Sequence, residues 1–362
     1  MTNMVAGKED GMSSVQWADD DNDAHKLDEG RLDAYLRAHL DGYRGELTVR
    51  RLKGGASNPT YVLSETDGAI TRRYVLRKKP PGILLPSAHQ VEREYKIMKA
   101  LGPTDVPVPN ARLLCEDSDV AGTPFYIMDF MEGRIFRDPT LPGMTPAERT
   151  KVYDSFVDVM ARLHQVDFVG AGLGDLGKPG NFFERQTARW IKQYRGAQTD
   201  EIPEMEELIA ALPAMIPQDN SVTIAHGDFR PENMMFHPTE PRVIALLDWE
   251  LCTLGHPLAD LGYACIMYHA KIDRWGTLHD VDFATSGIPD EQALVDNYCR
   301  RTGRDGVENL SFYTAFALFR LASISQGVYK RGLDGIGTGY DSANLNGAPD
   351  IARFGVALLD RG

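Results

Sequence analysis

Cysteine is scarce in this 362-residue chain, and Cys115, Cys252, Cys265 and Cys299 lie far apart with no Cys-x-x-Cys pair. That excludes a disulfide framework and a thiolate zinc cage, and reads as buried free thiols of a reducing compartment, the cytoplasm. Long apolar runs are missing too. None approaches the roughly 20 residues that a membrane-spanning helix needs. The first residues hold no basic region followed by an apolar core, so no secretory leader is expected. Positive charge is in deficit, with 39 Lys and Arg against 52 Asp and Glu and a formal charge of -13. Broad binding to nucleic acid or an anionic membrane requires a basic face, which this balance argues against. There is no internal repeat. A hydrophobic content of 43% over this length suffices for two lobes with sizeable cores.

The chemistry is concentrated between His226 and Asp248, which begins His-Gly-Asp-Phe-Arg-Pro-Glu-Asn and ends in the run Val243 to Asp248. Apolar Val222 to Ala225 predict a short buried strand that delivers His226 and Asp228 to a loop. Pro231 ends that loop, Met234 to Phe236 form a second strand, and His237 to Pro241 turn the chain into a third, Val243 to Leu247. The hairpin is expected to carry Asp228 and Asn233 close to Asp248. One lone carboxylate then stands beside an oxygen pair, Asn233 and Asp248, suited to Mg²⁺, which takes only one or two protein oxygens. The protein-kinase template needs an Asp base, an Asn five residues on and a separate metal-holding Asp. Asp228, Asn233 and Asp248 meet that spacing. Arg230 stands where the kinase loop carries a Lys and is placed to offset phosphoryl charge. His226 has no second His or Cys at ligand spacing, so it reads as a prop for the loop.

The segment resembles the catalytic loop of the aminoglycoside phosphotransferase and choline kinase superfamily. Its continuation, Asp-Trp-Glu-Leu-Cys-Thr-Leu-Gly-His-Pro-Leu-Ala-Asp-Leu-Gly from Asp248, is most similar to the kinase-like domain fused to acyl-CoA dehydrogenases. The resemblance implies that Asp260 braces the loop backbone. It also implies an α+β, bilobal protein-kinase-like fold, with a small antiparallel sheet and one main helix in the N-lobe and a larger, mostly helical C-lobe. ATP and Mg²⁺ are the implied cofactors and a small hydroxyl compound the implied partner.

Earlier in the chain, residues 1–27 are rich in Gly, Ser and Asp and read as a disordered tail; the expected lobes are 28–132 and 133–362. Leu32, Tyr35, Leu36 and Leu40 predict a short helix. Strands at Leu47 to Lys53 and Thr60 to Leu63 flank Gly54-Gly55-Ala56-Ser57-Asn58, a small-residue turn through which backbone N–H groups approach phosphate closely. In the third strand, Arg73 to Arg77, alternation puts Arg77 with Val75 on one face. Arg77 is assigned to the α/β-phosphates, with Lys78 the rival should a bulge shift the register. Ser87 and Gln90 read as the cap of a helix from Ala88 to Leu101, on which Glu94 is the natural partner of Arg77. Val106 to Leu114 and Pro124 to Met131 are the last strands of the small sheet. Asp129 and Met131 belong to a segment that resembles the hinge meeting adenine, where Gly133 would ease chain reversal.

Thr145-Pro146-Ala147-Glu148 is a capping box opening a long helix. Helices are also expected at 181–194, 204–212, 257–267, 291–301, 310–329 and 350–359, with a Gly/Asn/Asp-rich loop over 332–347. Tyr263, Tyr268, Trp275 and Phe319 read as core or as an apolar pocket lining. Lys330 and Arg331 would meet an acidic substrate or water. The expected activity is transfer of the γ-phosphate of ATP to a hydroxyl of a hydroxy acid or hydroxyacyl-CoA. Aminoglycoside or choline-type acceptors are the alternative, and a silent nucleotide-binding module is the rival of another class. Nothing in the sequence speaks to oligomeric state.

Overall fold

The computed structural model describes residues 17–18, 26–53, 58–81, 90–272, 276–335 and 346–359. Two compact units emerge, Met1–Phe136 with Glu232–Glu250, and Arg137–Pro231 with Leu251–Gly362. The hairpin 232–250 is thus grouped with the N-terminal residues, whereas the sequence reading kept all of 133–362 together. The mixed α+β architecture, with an antiparallel sheet and a helical part, is as expected.

The first unit opens with α1 (Glu29–His39), capped by the Asp28 carboxylate, which accepts from the Arg31 N–H at 3.0 Å. Strands β1 (Glu46–Arg51), β2 (Thr60–Asp67) and β3 (Ile70–Lys78) precede α2 (Val91–Leu101). After these come β4 (Ala111–Cys115), the short α3 (Ser118–Ala121) and β5 (Phe125–Asp129). The five strands form one antiparallel sheet in the order β1-β2-β3-β5-β4. Alternation divides its side chains. Tyr61, Leu63, Leu76, Phe125 and Ile127 join Leu32 and Leu36 of α1, and Leu40 just after it, in one core. Arg77 and Tyr126, paired in register, instead meet Glu94 of α2. β4 starts later than expected because Pro107 and Pro109 have no N–H to give a ladder. Gln90 sits at the start of α2 without a side-chain cap bond; Ser87 and the predicted first turn lie outside the described residues.

In the second unit Thr145 and Glu148 form the reciprocal capping box at the head of α4 (Pro146–His164). Helices α5 (Phe182–Ala197) and α6 (Pro203–Ala211) follow, then β6 (Thr223–Ala225). The chain next supplies the hairpin of the first unit, β7 (Met234–Phe236) and β8 (Val243–Leu246), before returning as β9 (Thr253–Gly255), which pairs with β6. Helices α7 (Pro257–His269), α8 (Phe283–Ser286), α9 (Glu291–Thr302), α10 (Leu310–Leu333) and α11 (Ala348–Leu359) complete the unit. Phe183 of α5 packs against His256 and against Phe312, Tyr313 and Phe316 of α10. The loop expected from 332 begins later, since α10 runs through Leu333; Lys330 of its last turn pairs with Asp334 just beyond it. Among the described residues no helix is long and apolar enough to cross a membrane.

Candidate active site

In the first unit a buried polar cluster forms around Arg77, which is 2% exposed. Its Nε lies 3.2 Å from Glu94 Oε2, and its Nη2 lies 3.1 Å from Asp248 Oδ1 and 3.7 Å from Glu250 Oε2. Glu94 also accepts from the Asn58 amide and the Tyr126 hydroxyl, each at 3.0 Å. Three carboxylates therefore surround a single guanidinium. Burial works against the Arg77 charge, but Glu94 and Asp248 more than restore it and hold the group protonated. Burial pushes the Glu94 carboxyl up to about 7 against the pull of Arg77. Lys78, on the other face of β3, donates to the Ala121 carbonyl.

The hairpin sets Asn233 beside Asp248. Leu247 N–H donates to the Asn233 carbonyl at 2.9 Å, next to the Met234–Leu246 pair. Leu246 N–H reaches the Pro107 carbonyl at 2.8 Å, which ties β8 to the proline segment before β4. Asp248 has φ 66°, a left-handed conformation that Asp tolerates better than most residues but at some cost. The surplus of negative charge beside this oxygen pair fits a divalent cation. Among the described residues no group of three His, Cys, Asp or Glu is placed to hold a metal ion between them.

The hinge segment departs from expectation at Gly133. Its φ is not in the left-handed region, so it is not needed for chain reversal. A Cβ there would stand 2.4 Å from both the Met235 side chain and the Phe236 carbonyl, so Gly133 permits close approach to β7. Asp129 is gripped by Arg112 at 2.7 and 3.0 Å. The Asp129 and Phe130 N–H groups donate to the Asn110 and Arg73 carbonyls, and Met131 is half-buried beyond them. Gly54, Gly55, Ala56 and Ser57 lie outside the described residues.

The second unit carries the catalytic-loop candidates. β6 leads to His226, which is fully buried and whose Nδ1 accepts from the Asp228 N–H at 3.3 Å. Asp260 Oδ2 accepts from the His226 N–H at 2.7 Å, and its Oδ1 from the Gly227 N–H at 2.8 Å. His164 Nε2 reaches the same carboxylate at 3.2 Å. Burial alone would raise the Asp260 pKa, but His164, His226 and the backbone donors hold it below the ordinary range. Gly227 has φ 83°, and a Cβ would meet the Leu251 carbonyl at 2.8 Å, so only glycine fits between His226 and Asp228. Arg230 Nε stands 3.5 Å from Asp228 Oδ1. The Tyr263 hydroxyl of α7 also bonds to Asp228.

Residues 48–298 match the phosphotransferase enzyme family. The chain belongs to that family. This phosphotransferase is 42% identical to human acyl-CoA dehydrogenase family member 11 over 350 residues, 93% of this chain and 44% of that protein. It is 45% identical to mouse acyl-CoA dehydrogenase family member 10 over 307 residues, 84% of this chain and 28% of that protein. The phosphotransferase thus spans less than half the length of these relatives. A solved Ralstonia eutropha JMP134 structure, provisionally described as an aminoglycoside phosphotransferase, superposes with TM-score 0.84 at 45% identity, covering 93% of this chain and 99% of that one. Choline kinase from Cryptosporidium parvum shares the fold at 13% identity and TM-score 0.59, covering 92% and 95% of the two chains. So does aminoglycoside phosphotransferase APH(4)-Ia, solved with ADP and hygromycin B, at 14% identity and TM-score 0.57, covering 91% and 97%.

Sequence reasoning missed Tyr126, Glu250 and the bond from Tyr263 to Asp228. Strand alternation signals Tyr126, which faces Arg77 across the β3–β5 ladder. Glu250, two residues after Asp248, had no motif to mark it. Tyr263 and Phe319 are buried as core expectation requires, and Trp275 lies outside the described residues.

Proposed function

We propose that the chain is an ATP- and Mg²⁺-dependent small-molecule kinase that phosphorylates a hydroxyl group. The observation that carries this reading is the crowding of Glu94, Asp248 and Glu250 around Arg77, beside Asn233. Bound there, Mg²⁺ would be held by Asn233 and Asp248 and would neutralise phosphate charge. Arg77, kept in place by Glu94, grips the α/β-phosphates; a guanidinium does this bidentately where a lysine gives a point charge. The small residues Gly54 to Asn58 are assigned to the phosphates on their sequence alone. With the Asp129 and Phe130 N–H groups already used in the sheet, the adenine edge falls to the Met131 backbone.

Asp228 takes the proton of the acceptor hydroxyl as its oxygen bonds to the γ-phosphorus. The bond from that phosphorus to the β-phosphate oxygen breaks, and ADP leaves with the electron pair. Arg230 offsets the charge that spreads over the moving phosphoryl group. Positioning and electrostatics supply most of the acceleration. The relatives named for acyl-CoA dehydrogenase support a hydroxy acid or hydroxyacyl thioester as acceptor. The neighbour solved with hygromycin B supports an aminoglycoside-type acceptor instead. The buried free thiols support a reducing compartment such as the cytoplasm.

Asp228→Asn is the deciding variant. Turnover should fall by roughly 10³-fold while the affinity for ATP stays within a few-fold, because the base acts only in the transition state. Undiminished turnover would remove Asp228 from this role.

A further inference from the structure

The second unit holds a group of cations that the phosphoryl-transfer roles leave unused. Arg320 of α10 lies with its guanidinium carbon 5.7 Å from the ring centroids of both Trp190 and Tyr263. Arg189 stands at the same distance from the Trp190 ring. Arg320 is half-buried, and among the described residues its contacts are with these two rings and not with a carboxylate. The indole N–H of Trp190, a group that can only donate, is shielded from solvent and finds no acceptor among the described residues. Tyr263 links this group to chemistry, because its hydroxyl bonds to Asp228. Arg230, 3.5 Å from Asp228, and Arg320, over the ring of the tyrosine that bonds to Asp228, thus bring two guanidiniums toward the candidate base.

We propose that Arg320, with the Trp190 indole N–H, binds an anionic oxygen of the acceptor and selects hydroxylated anions over neutral or cationic alcohols. The shielded indole donor is costly without an acceptor, and the rings around Arg320 leave its N–H groups without one, so a carboxylate or phosphate would serve both. A cationic acceptor would meet repulsion from Arg230 and Arg320 although the chain as a whole is acidic. Net charge therefore misleads about this site. Tyr263 stands between the anion site and Asp228, so the acceptor's hydroxyl and its negative charge lie about one tyrosine side chain apart. This rests on the kinase reading and deepens it.

The test compares matched acceptors in an ATP-turnover assay. 3-Hydroxybutyrate and 6-hydroxyhexanoate are set against their primary amides, and choline is the cationic member. A hydroxyacyl-CoA set against the same acyl group on N-acetylcysteamine distinguishes carrier phosphate from carboxylate as the source of the anion. The wild type should prefer the charged member of at least one pair. In Arg320→Met that preference should fall roughly 10- to 100-fold, mainly through KM, and Arg320→Lys should recover most of it. If no anionic acceptor binds or reacts better than its neutral counterpart, or if Arg320→Met keeps the full preference, the proposal is overturned. The kinase reading is judged separately by Asp228→Asn. An enzyme that passes that test yet favours amides or choline sinks only the role of Arg320.

Discussion

Asp248 combines three demands on one residue: a left-handed backbone, a contact with Arg77 and, as proposed, a metal ligand. Asn can adopt the same backbone, so Asp248→Asn removes charge without removing the conformation. It also takes away one of three carboxylates competing for Arg77. We expect the nucleotide-free variant to melt no lower than the wild type, while Mg²⁺-dependent ATP affinity drops at least about 10-fold. A scanning-calorimetry trace together with an ATP titration in the presence and absence of Mg²⁺ checks both halves. A large loss of melting temperature would mean that the carboxylate is chiefly a structural partner of Arg77.

At the scale of elements, the hairpin β7–β8 is legible in the sequence because two short apolar runs flank a Pro-rich turn. Its attachment is not legible. Gly133 makes room for Met235 and Phe236, and the neighbouring Arg134 forms a backbone bridge with Phe236 at 2.8 Å in both directions. A methyl group at 133 has no space, so Gly133→Ala should cost about 1–3 kcal/mol by overpacking. Urea unfolding measures the loss, and a change below about 0.5 kcal/mol would show that the segment yields easily. That Arg77 rather than Lys78 faces Glu94 follows from strand alternation alone, since the sheet has no bulge at that point. The late start of β4 shows the converse. An apolar pattern predicted a strand across Pro107 and Pro109, and the missing N–H groups prevailed.

Over the whole molecule, stability should carry a pH signature from His256, which caps α7 and is buried beside Asp219 at 3.1 Å. Burial drives its pKa down to about 4, against the pull of Asp219. The unfolded chain binds a proton near 6.5 that the folded one takes up only near 4, so this contribution is complete above pH 6.5 and lost as pH falls toward 4. Between pH 7 and 5 the loss is about 2 kcal/mol. Asn also caps helices, so His256→Asn should keep the cap and flatten this slope relative to the wild type. Glu94 works in the opposite sense, its raised pKa lowering stability as pH rises from 4.5 toward 7, which is why the difference between the two proteins, measured by denaturant at each pH, is the informative quantity. An identical slope in both proteins would exclude His256 as its source.

The sequence by itself determined the antiparallel sheet, most helices and the identity of the Asp228, Asn233 and Asp248 candidates. Those features are local, set by residue period, capping groups and short spacing. Only the tertiary structure decided that Glu250 and Tyr126 join Arg77 and Glu94, that His164 shares the Asp260 carboxylate, and that Arg320 stands between Trp190 and Tyr263. Those contacts join residues separated by tens to more than a hundred positions. Their energies come from burial and charge in a shared low-dielectric environment, which no periodicity along the chain encodes.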